Sequence, residues 1–350
     1  MSAENRIDRQ FAKLLVADAD GAISHLPRAA LASLFRPGGL VVANDAATLP
    51  ASLQGVHRPT GQPIEARLAD RLNFRDPTRF VAVAFGAGDH RVLTEDRPPP
   101  PSLSAGDQLE FGPLVASVER LLDHPRLVRV RFAGSPASVM HGLVRHGRPI
   151  QYAHIPEPLS LWDVWTKIAA DPIAFESPSA AFALDWRTLK AWRKRGVGFA
   201  TLSHAAGLSS TGDAALDRRL PFDEFYRIPE ACASAIEAAK SRSGRVIAIG
   251  TSVVRALESA ANAGGAVRAG EGRASGRIAR GAPLRVADAI LTGVHQPGES
   301  HHEVLRAFAD DRVLDNVRAG VEERDYRAHE FGDLLLIEWQ VAWPRHVETQ

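Results

Sequence analysis

In the stretch SGRVIAIGTSVVRALES, residues 243–259, Gly250, Thr251, Ser252, Arg255 and Glu258 stand where a helix start could bind a ligand. A helix N-terminus leaves backbone N–H groups unpaired and partly positive, so it draws phosphate or carboxylate. Gly250 would let such a ligand approach the backbone, and the two hydroxyls add donors. Arg255 and Glu258, three residues apart, would lie on neighbouring faces of the helix. The same residues also describe a capped helix in an ordinary αβα layer. Neither GxGxxG nor a P-loop pattern is present to name a ligand.

Other stretches carry reactive side chains as well. Asn44 and Asp45 follow the apolar run LVVA (40–43), at the carboxyl end of a strand, where α/β sheets bind ligands. Asp45 could equally form a turn. In LTGVHQPGESHHEV, His295, His301, His302 and Glu303 are of metal-binding type. No HExxH or CxxC spacing accompanies them, so no metal is expected. DWRTLKAWRKRG (185–196) sets Lys190, Arg193, Lys194 and Arg195 beside Trp186 and Trp192, as a helix C-terminal cap or an RNA contact would. RAGEGRASGRIARG (268–281) holds Arg268, Arg273, Arg277 and Arg280, either in a solvated connector or in a flexible arm that tracks phosphates.

The elements that must position these groups follow from periodicity. Val246–Ile249 is an unbroken apolar run, the pattern of a strand buried on both faces. Val253, Val254, Leu257 and Ala261 then recur at helical spacing, with Thr251 and Ser252 both suited to cap that helix. A second helix is predicted from Pro229 to Lys240, feeding the Val246 strand. Between about 60 and 150 the texture changes to short alternating strands at 80–85, 108–112, 114–119 and 127–132, broken by turns such as RPPPPSLSAGD. That is an all-β module, a small barrel or sandwich. The expected fold class is α/β: a layered, discontinuous α/β domain (1–58 and 150–350) with an inserted β-barrel-like module (59–149).

Bulk properties narrow the function classes. A chain of 350 residues is long for one core, which agrees with two domains. The net charge of +1 gives no global pull toward nucleic acid, so any such contact must be local. The single cysteine, Cys232, excludes an internal disulfide and fits a reducing cytoplasm. The polar start MSAENRIDRQ has no apolar leader segment, and no stretch reaches membrane-span length, so neither export nor a membrane partner is expected.

Four ordered segments resemble a known family. RPGGLVVANDAATLPASLQG (36–55) is similar to R-P-G-D-L-L-V-x-N-D-T-R-V-I-P-A-R-L-x-G, and GRVIAIGTSVVRALES to G-R-V-I-A-V-G-T-T-S-V-R-T-L-E-S. ADAILTGVHQP (287–297) resembles V-D-x-L-x-T-N-F-H-L-P, and YRAHEFGDLLLI (326–337) resembles Y-R-F-F-S-Y-G-D-A-M-L-I. These are motifs of the S-adenosylmethionine:tRNA ribosyltransferase-isomerase family of queuosine biosynthesis. The resemblance implies a cytoplasmic protein with a β-barrel inserted in an α/β domain. It implies S-adenosylmethionine as ribosyl donor and tRNA as partner: the ribosyl unit passes to a 7-deazaguanine and is isomerised to give epoxyqueuosine. A monomer is expected.

Carried onto this sequence, the motifs imply His295, Asp45, Glu224 and Asp333 as catalytic groups. They imply Asn44, Gly250, Thr251, Ser252, Arg255, Glu258, Tyr326 and Arg327 as substrate-binding groups, with Pro50, Pro297 and Gly332 also at motif positions. Asn44, Asp45, the Gly250–Ser252 junction, His295 and Asp333 are expected to share one pocket at the carboxyl edge of the sheet, where the junction and Arg255 hold an anionic part of the substrate. The departures are local. Ala47 and Ser52 replace two family arginines, and Ala183, Arg219 and Phe222 replace histidines. Ser203 stands at another histidine position, with His204 one residue on, and the family's opening F-D-Y-x-L-P has no counterpart. Imidazole is the side chain best suited to proton transfer near neutral pH. Its loss leaves two other readings of the scaffold: a paralogue with another acceptor, and a non-catalytic tRNA- or nucleotide-binding protein.

Overall fold

A computed structural model describes residues 12–339, apart from Asn73, Arg75, Gln296, Pro297, His329 and Glu330. The unbroken apolar runs take the middle of the main sheet. Leu40–Asn44 and Val246–Ile249 are buried along their whole length and lie side by side in parallel. Gly198–His204 flanks the first and Ala289–Gly293 the second, also in parallel. Strands buried on both faces need cover on both, and successive side chains supply it alternately. Leu40 and Val42 pack toward helices Glu230–Ser241, Thr251–Ala260 and Asp311–Glu323. Val41 and Ala43 pack toward Leu31–Leu34, the Ser179–Ala183 turn and Trp186–Lys194.

Nine strands form the sheet, in the order Gly270–Ala274, Glu224–Ile228, Gly198–His204, Leu40–Asn44, Val246–Ile249, Ala289–Gly293, Leu334–Glu338, Lys13–Ala17 and Ile23–Pro27. The four central parallel strands bring Asn44, His204, Ile249 and Gly293 to one edge. Glu224–Ile228 and Leu334–Glu338 run the opposite way, so Glu224 and Leu334 start at that same edge. The α/β class read from the sequence is what is observed.

The inserted module is a closed antiparallel barrel of six strands. Arg79–Phe85, Gln108–Phe111, Leu114–Leu121 and Leu127–Phe132 fall where alternation predicts them. Ser52–His57 and Gln62–Arg71 do not. The first of these pairs with both Gln62–Arg71 and Gln108–Phe111, so the barrel begins before the expected boundary at residue 58. In the second, Glu65 and Arg67 occupy buried positions, which masks the apolar rhythm. Glu65 is held by Arg67 at 2.8 Å and Arg97 at 2.5 Å. Burial alone pushes the Glu65 carboxyl up, but the two guanidinium groups outweigh it and hold it below the usual glutamate value.

Two connections bear on the surroundings of that shared edge. Phe175, from the chain returning to the main sheet, stacks edge-on against Phe80 of the barrel at 6.3 Å, fixing the residues after it. The glycine-rich stretch read as a connector or flexible arm contains the edge strand Gly270–Ala274, paired with Glu224–Ile228.

Candidate functional site

The Val246–Ile249 strand turns into helix Thr251–Ala260 through Gly250 at φ +92°, a left-handed value that strains any side chain. Gly250 is therefore itself the N-cap. Thr251 and Ser252 fall in the first turn, which corrects the expectation that they cap, and no side chain caps this helix. An uncapped helix start thus reaches the carboxyl edge of the sheet and opens onto a cleft of about 80 Å³. Gly250, Thr251, Ser252 and Arg255 line it together with Thr292, His295, Glu224 and the crossing segment Glu176–Ala180.

Glu224 is the most constrained group here. Its Oε1 accepts the Gly207 N–H at 2.6 Å, and its Oε2 accepts Arg255 Nε at 3.0 Å. A Cβ on Gly207 would sit 3.1 Å from that carboxylate, a tight contact to which Glu224 would have to yield by a few tenths of an ångström. Arg255 also donates to the carbonyls of Phe222 at 3.0 Å, Ala274 at 2.9 Å and Gly276 at 2.7 Å. Four of its five N–H donors are thereby spent within the protein. With those bonds Arg255 neutralises Glu224 and pins the 274–276 segment while it lines the cleft. The helix start, which no side chain caps, brings its own N–H groups to the cleft.

His295 reaches the cleft from the end of Ala289–Gly293. Its Nε2 meets Thr292 Oγ1 at 2.8 Å and its Nδ1 lies 3.5 Å from Glu299 Oε2, so both ring nitrogens are oriented. The His301 ring stands 4.9 Å away, centroid to centroid. Among the described residues, no three His, Cys, Asp or Glu side chains are placed to share a metal ion.

A family model described as "Queuosine biosynthesis protein" matches residues 2–337. The S-adenosylmethionine:tRNA ribosyltransferase-isomerase of Sorangium cellulosum is 34% identical over 358 residues, covering 94% of this chain and 93% of its own. Its namesake in Moorella thermoacetica is 29% identical with the same coverages. The chain belongs to the queuosine biosynthesis protein family. In the crystal structure of S-adenosylmethionine tRNA ribosyltransferase from Thermotoga maritima, 93% of that chain aligns with 94% of this one at 19% identity and a TM-score of 0.48.

Of the residues matching family motifs, Glu224, Gly250, Thr251, Arg255 and His295 meet in the cleft, together with Ser252. Asn44 lies beneath it. Its amide donates to His204 O at 3.0 Å and Ser252 Oγ at 3.4 Å, and its Oδ1 accepts the N–H groups of Ala46 and His204. Fully buried and fully bonded, Asn44 ties two strand ends to the helix start. Asp45 accepts Ser203 Oγ at 2.7 Å, outside the cleft wall. Glu258 accepts three backbone N–H groups, from Arg285, Val286 and Ala287, and holds the approach to the Ala289 strand. Burial pushes its carboxyl up in spite of those donors.

Asp333 starts at the expected edge but lines an adjoining depression, with Ser179 and Ala180 shared between the two spaces. Its oxygens accept the N–H groups of Lys13 at 2.6 Å and Arg327 at 2.9 Å, so it staples two strand starts. The Tyr326 hydroxyl meets His25 Nδ1 at 2.9 Å, and neither Tyr326 nor Arg327 lines the cleft. Pro297 lies outside the described residues.

His204 is fully buried, with its Nε2 3.5 Å from Glu224 Oε2 and no hydrogen bond on either ring nitrogen. Burial is the main reason its pKa falls to about 4, Glu224 opposing and Arg255 reinforcing the shift. It is a neutral imidazole beneath the cleft. Glu176 went unread in the sequence, because no local periodicity marks a side chain whose place depends on the barrel contact of Phe175.

The basic stretches also find places. Trp186–Lys194 runs back from the carboxyl edge, because the strand after it starts at the opposite edge. Arg193, Lys194 and Arg195 therefore sit at the far edge, where Arg195 donates to Ser33 O. In the other stretch Arg273 bonds Asp70 at 2.9 Å and packs on Phe225, and Arg280 bonds Asp311 at 2.6 Å.

Proposed function

We infer that the protein transfers and isomerises the ribosyl unit of S-adenosylmethionine onto a 7-deazaguanine in tRNA, giving epoxyqueuosine. The observation that carries this reading is the meeting of the family-motif residues Glu224, Gly250, Thr251, Arg255 and His295, drawn from three distant segments, in one cleft. The uncapped start of helix Thr251–Ala260 offers N–H donors to the donor's carboxylate. Glu224 is held by Gly207 and Arg255 and lines the same cleft. His295 is oriented through Thr292 and moves a proton at Nδ1 or Nε2 during proton removal from the donor or departure of adenine. Metal ions have no part in this scheme, and the protein works as a monomer in the cytoplasm.

The decisive experiment is adenine release from S-adenosylmethionine, with and without precursor-bearing tRNA. Release that depends on tRNA supports the reading. Release without tRNA would favour a paralogue with another acceptor, and binding of donor and tRNA with no release would leave a binding protein on this scaffold.

A further inference from the structure

Among the described residues, the largest apolar side chains left in water are three tryptophans. Trp162 is 68% exposed, Trp165 41% and Trp186 67%. An indole presents a broad apolar face, so a group of them on a surface marks a place where something docks. Trp186 opens helix Trp186–Lys194 at the carboxyl edge of the main sheet. Trp162 lies in the short helix Leu161–Val164, and Trp165 directly follows it.

These two segments are neighbours. Ile168 packs against the cluster that holds Ala183, Leu184 and Trp192. Lys167 is close enough to Asp185 to act on its charge: burial pushes that carboxyl up, but Thr188, Arg28 and Lys167 outweigh it and hold it below the usual aspartate value. The same surface borders the cleft. Ser177, which lines the cleft, donates its hydroxyl to Val164 O at 2.7 Å, and Trp165 is the next residue. The Trp165 indole N–H is in turn tied to Thr48 O at 2.9 Å. Lys167, Arg187 and Lys190 add exposed cations, Lys190 one helical turn on from Trp186. The acids of the two segments serve their own helix starts: Asp163 accepts the Ser160 N–H at 2.9 Å and Asp185 the Thr188 N–H at 2.7 Å.

Indoles edged by positive charge match unpaired RNA, in which each base has a face to stack and each phosphate a charge to neutralise. Protein interfaces also favour tryptophan, but they are depleted in lysine, and two of the three cations here are lysines. A base that reacts in a cleft has to leave its stack, and its unpaired neighbours then need a surface of their own. We propose that Trp162, Trp165 and Trp186, with Lys167, Arg187 and Lys190, form the platform on which the unpaired bases beside the target base stack while that base enters the cleft. This rests on the reading of tRNA as the acceptor.

Fluorescence anisotropy of a labelled RNA stem–loop carrying the precursor base tests it, beside the same RNA with abasic sites throughout the loop, which keep the phosphates and lack the bases. Trp162→Ala and Trp186→Ala should each weaken the intact stem–loop by about five- to a hundredfold, and Trp186→Phe should recover part of that loss. On the abasic stem–loop both alanine variants should bind as the wild type does. Lys167→Gln/Arg187→Gln should lower the slope of log affinity against log salt by about 1.4, or about 0.7 per cation, a slope that the tryptophan variants leave unchanged. Unchanged affinity in both alanine variants, or the same loss on the abasic stem–loop, overturns the proposal while the tRNA reading stands. Self-association of the wild type that Trp186→Ala abolishes without weakening RNA binding makes the surface a protein interface and overturns it too. A wild-type protein that binds neither RNA overturns both.

Discussion

Arg255 gives the sharpest test, because an arginine that anchors a ligand and one that holds the site together fail differently. Arg255→Met keeps the length of the side chain and removes the charge. It leaves the Glu224 carboxylate, at 7% exposure, without its cation, and takes donors from the carbonyls of Phe222, Ala274 and Gly276. Breaking a buried ion pair from one side costs about 3–5 kcal/mol. At about 2–4 °C per kcal/mol for a domain of this size, the melting temperature should fall by roughly 6–20 °C. Glu224→Gln removes the stranded charge, so the double variant Glu224→Gln/Arg255→Met should recover part of that loss, with a coupling energy of about 2 kcal/mol. Scanning calorimetry on the four proteins measures the cycle. A shift below about 2 °C in Arg255→Met, together with a large loss of S-adenosylmethionine affinity, would refute the structural assignment and restore Arg255 as an anion anchor.

His295→Ala should leave the melting temperature nearly unchanged and remove most of the adenine release, and His295→Gln, which cannot titrate near neutral pH, should be nearly as inactive. Full activity in the Gln variant would make His295 a positioning group. His204, with a folded pKa of about 4 against an ordinary 6.5, contributes stability that is complete above pH 6.5 and is lost as pH falls toward 4, amounting to about 3 kcal/mol over that window. His204→Leu should therefore flatten the stability–pH curve there in urea titrations, and an unchanged slope would show that another group titrates. For tRNA affinity, Arg193→Gln/Lys194→Gln should leave the salt dependence unchanged, since these residues cap a helix at the far edge. Arg268→Gln/Arg277→Gln should lower its slope by about 1.5 if the 268–280 segment contacts phosphates, and an unaltered slope would make that segment structural only.

Much of the frame is local in origin and was legible from the sequence. Val246–Ile249, the helix after it and the barrel strands from Arg79 to Phe132 follow from apolar runs and alternation, which depend only on neighbours along the chain. Family motifs likewise marked Glu224, Gly250, Thr251, Arg255 and His295, and those residues do meet. The strand Gln62–Arg71 was hidden because its inward charges are satisfied by Arg97, 32 residues from Glu65 along the chain. The roles of the marked residues were also beyond local reading. Asn44 bonds a backbone 160 residues away, Arg255 spends its donors on Glu224 and three carbonyls, and Asp333 turns to the N–H of Lys13, 320 residues distant. A polar side chain's role is set by whichever donors and acceptors folding brings within about 3 Å of it. Sequence determined which groups would arrive at the carboxyl edge of the sheet; tertiary structure decided which would be consumed in holding that edge together and which would remain to face a ligand.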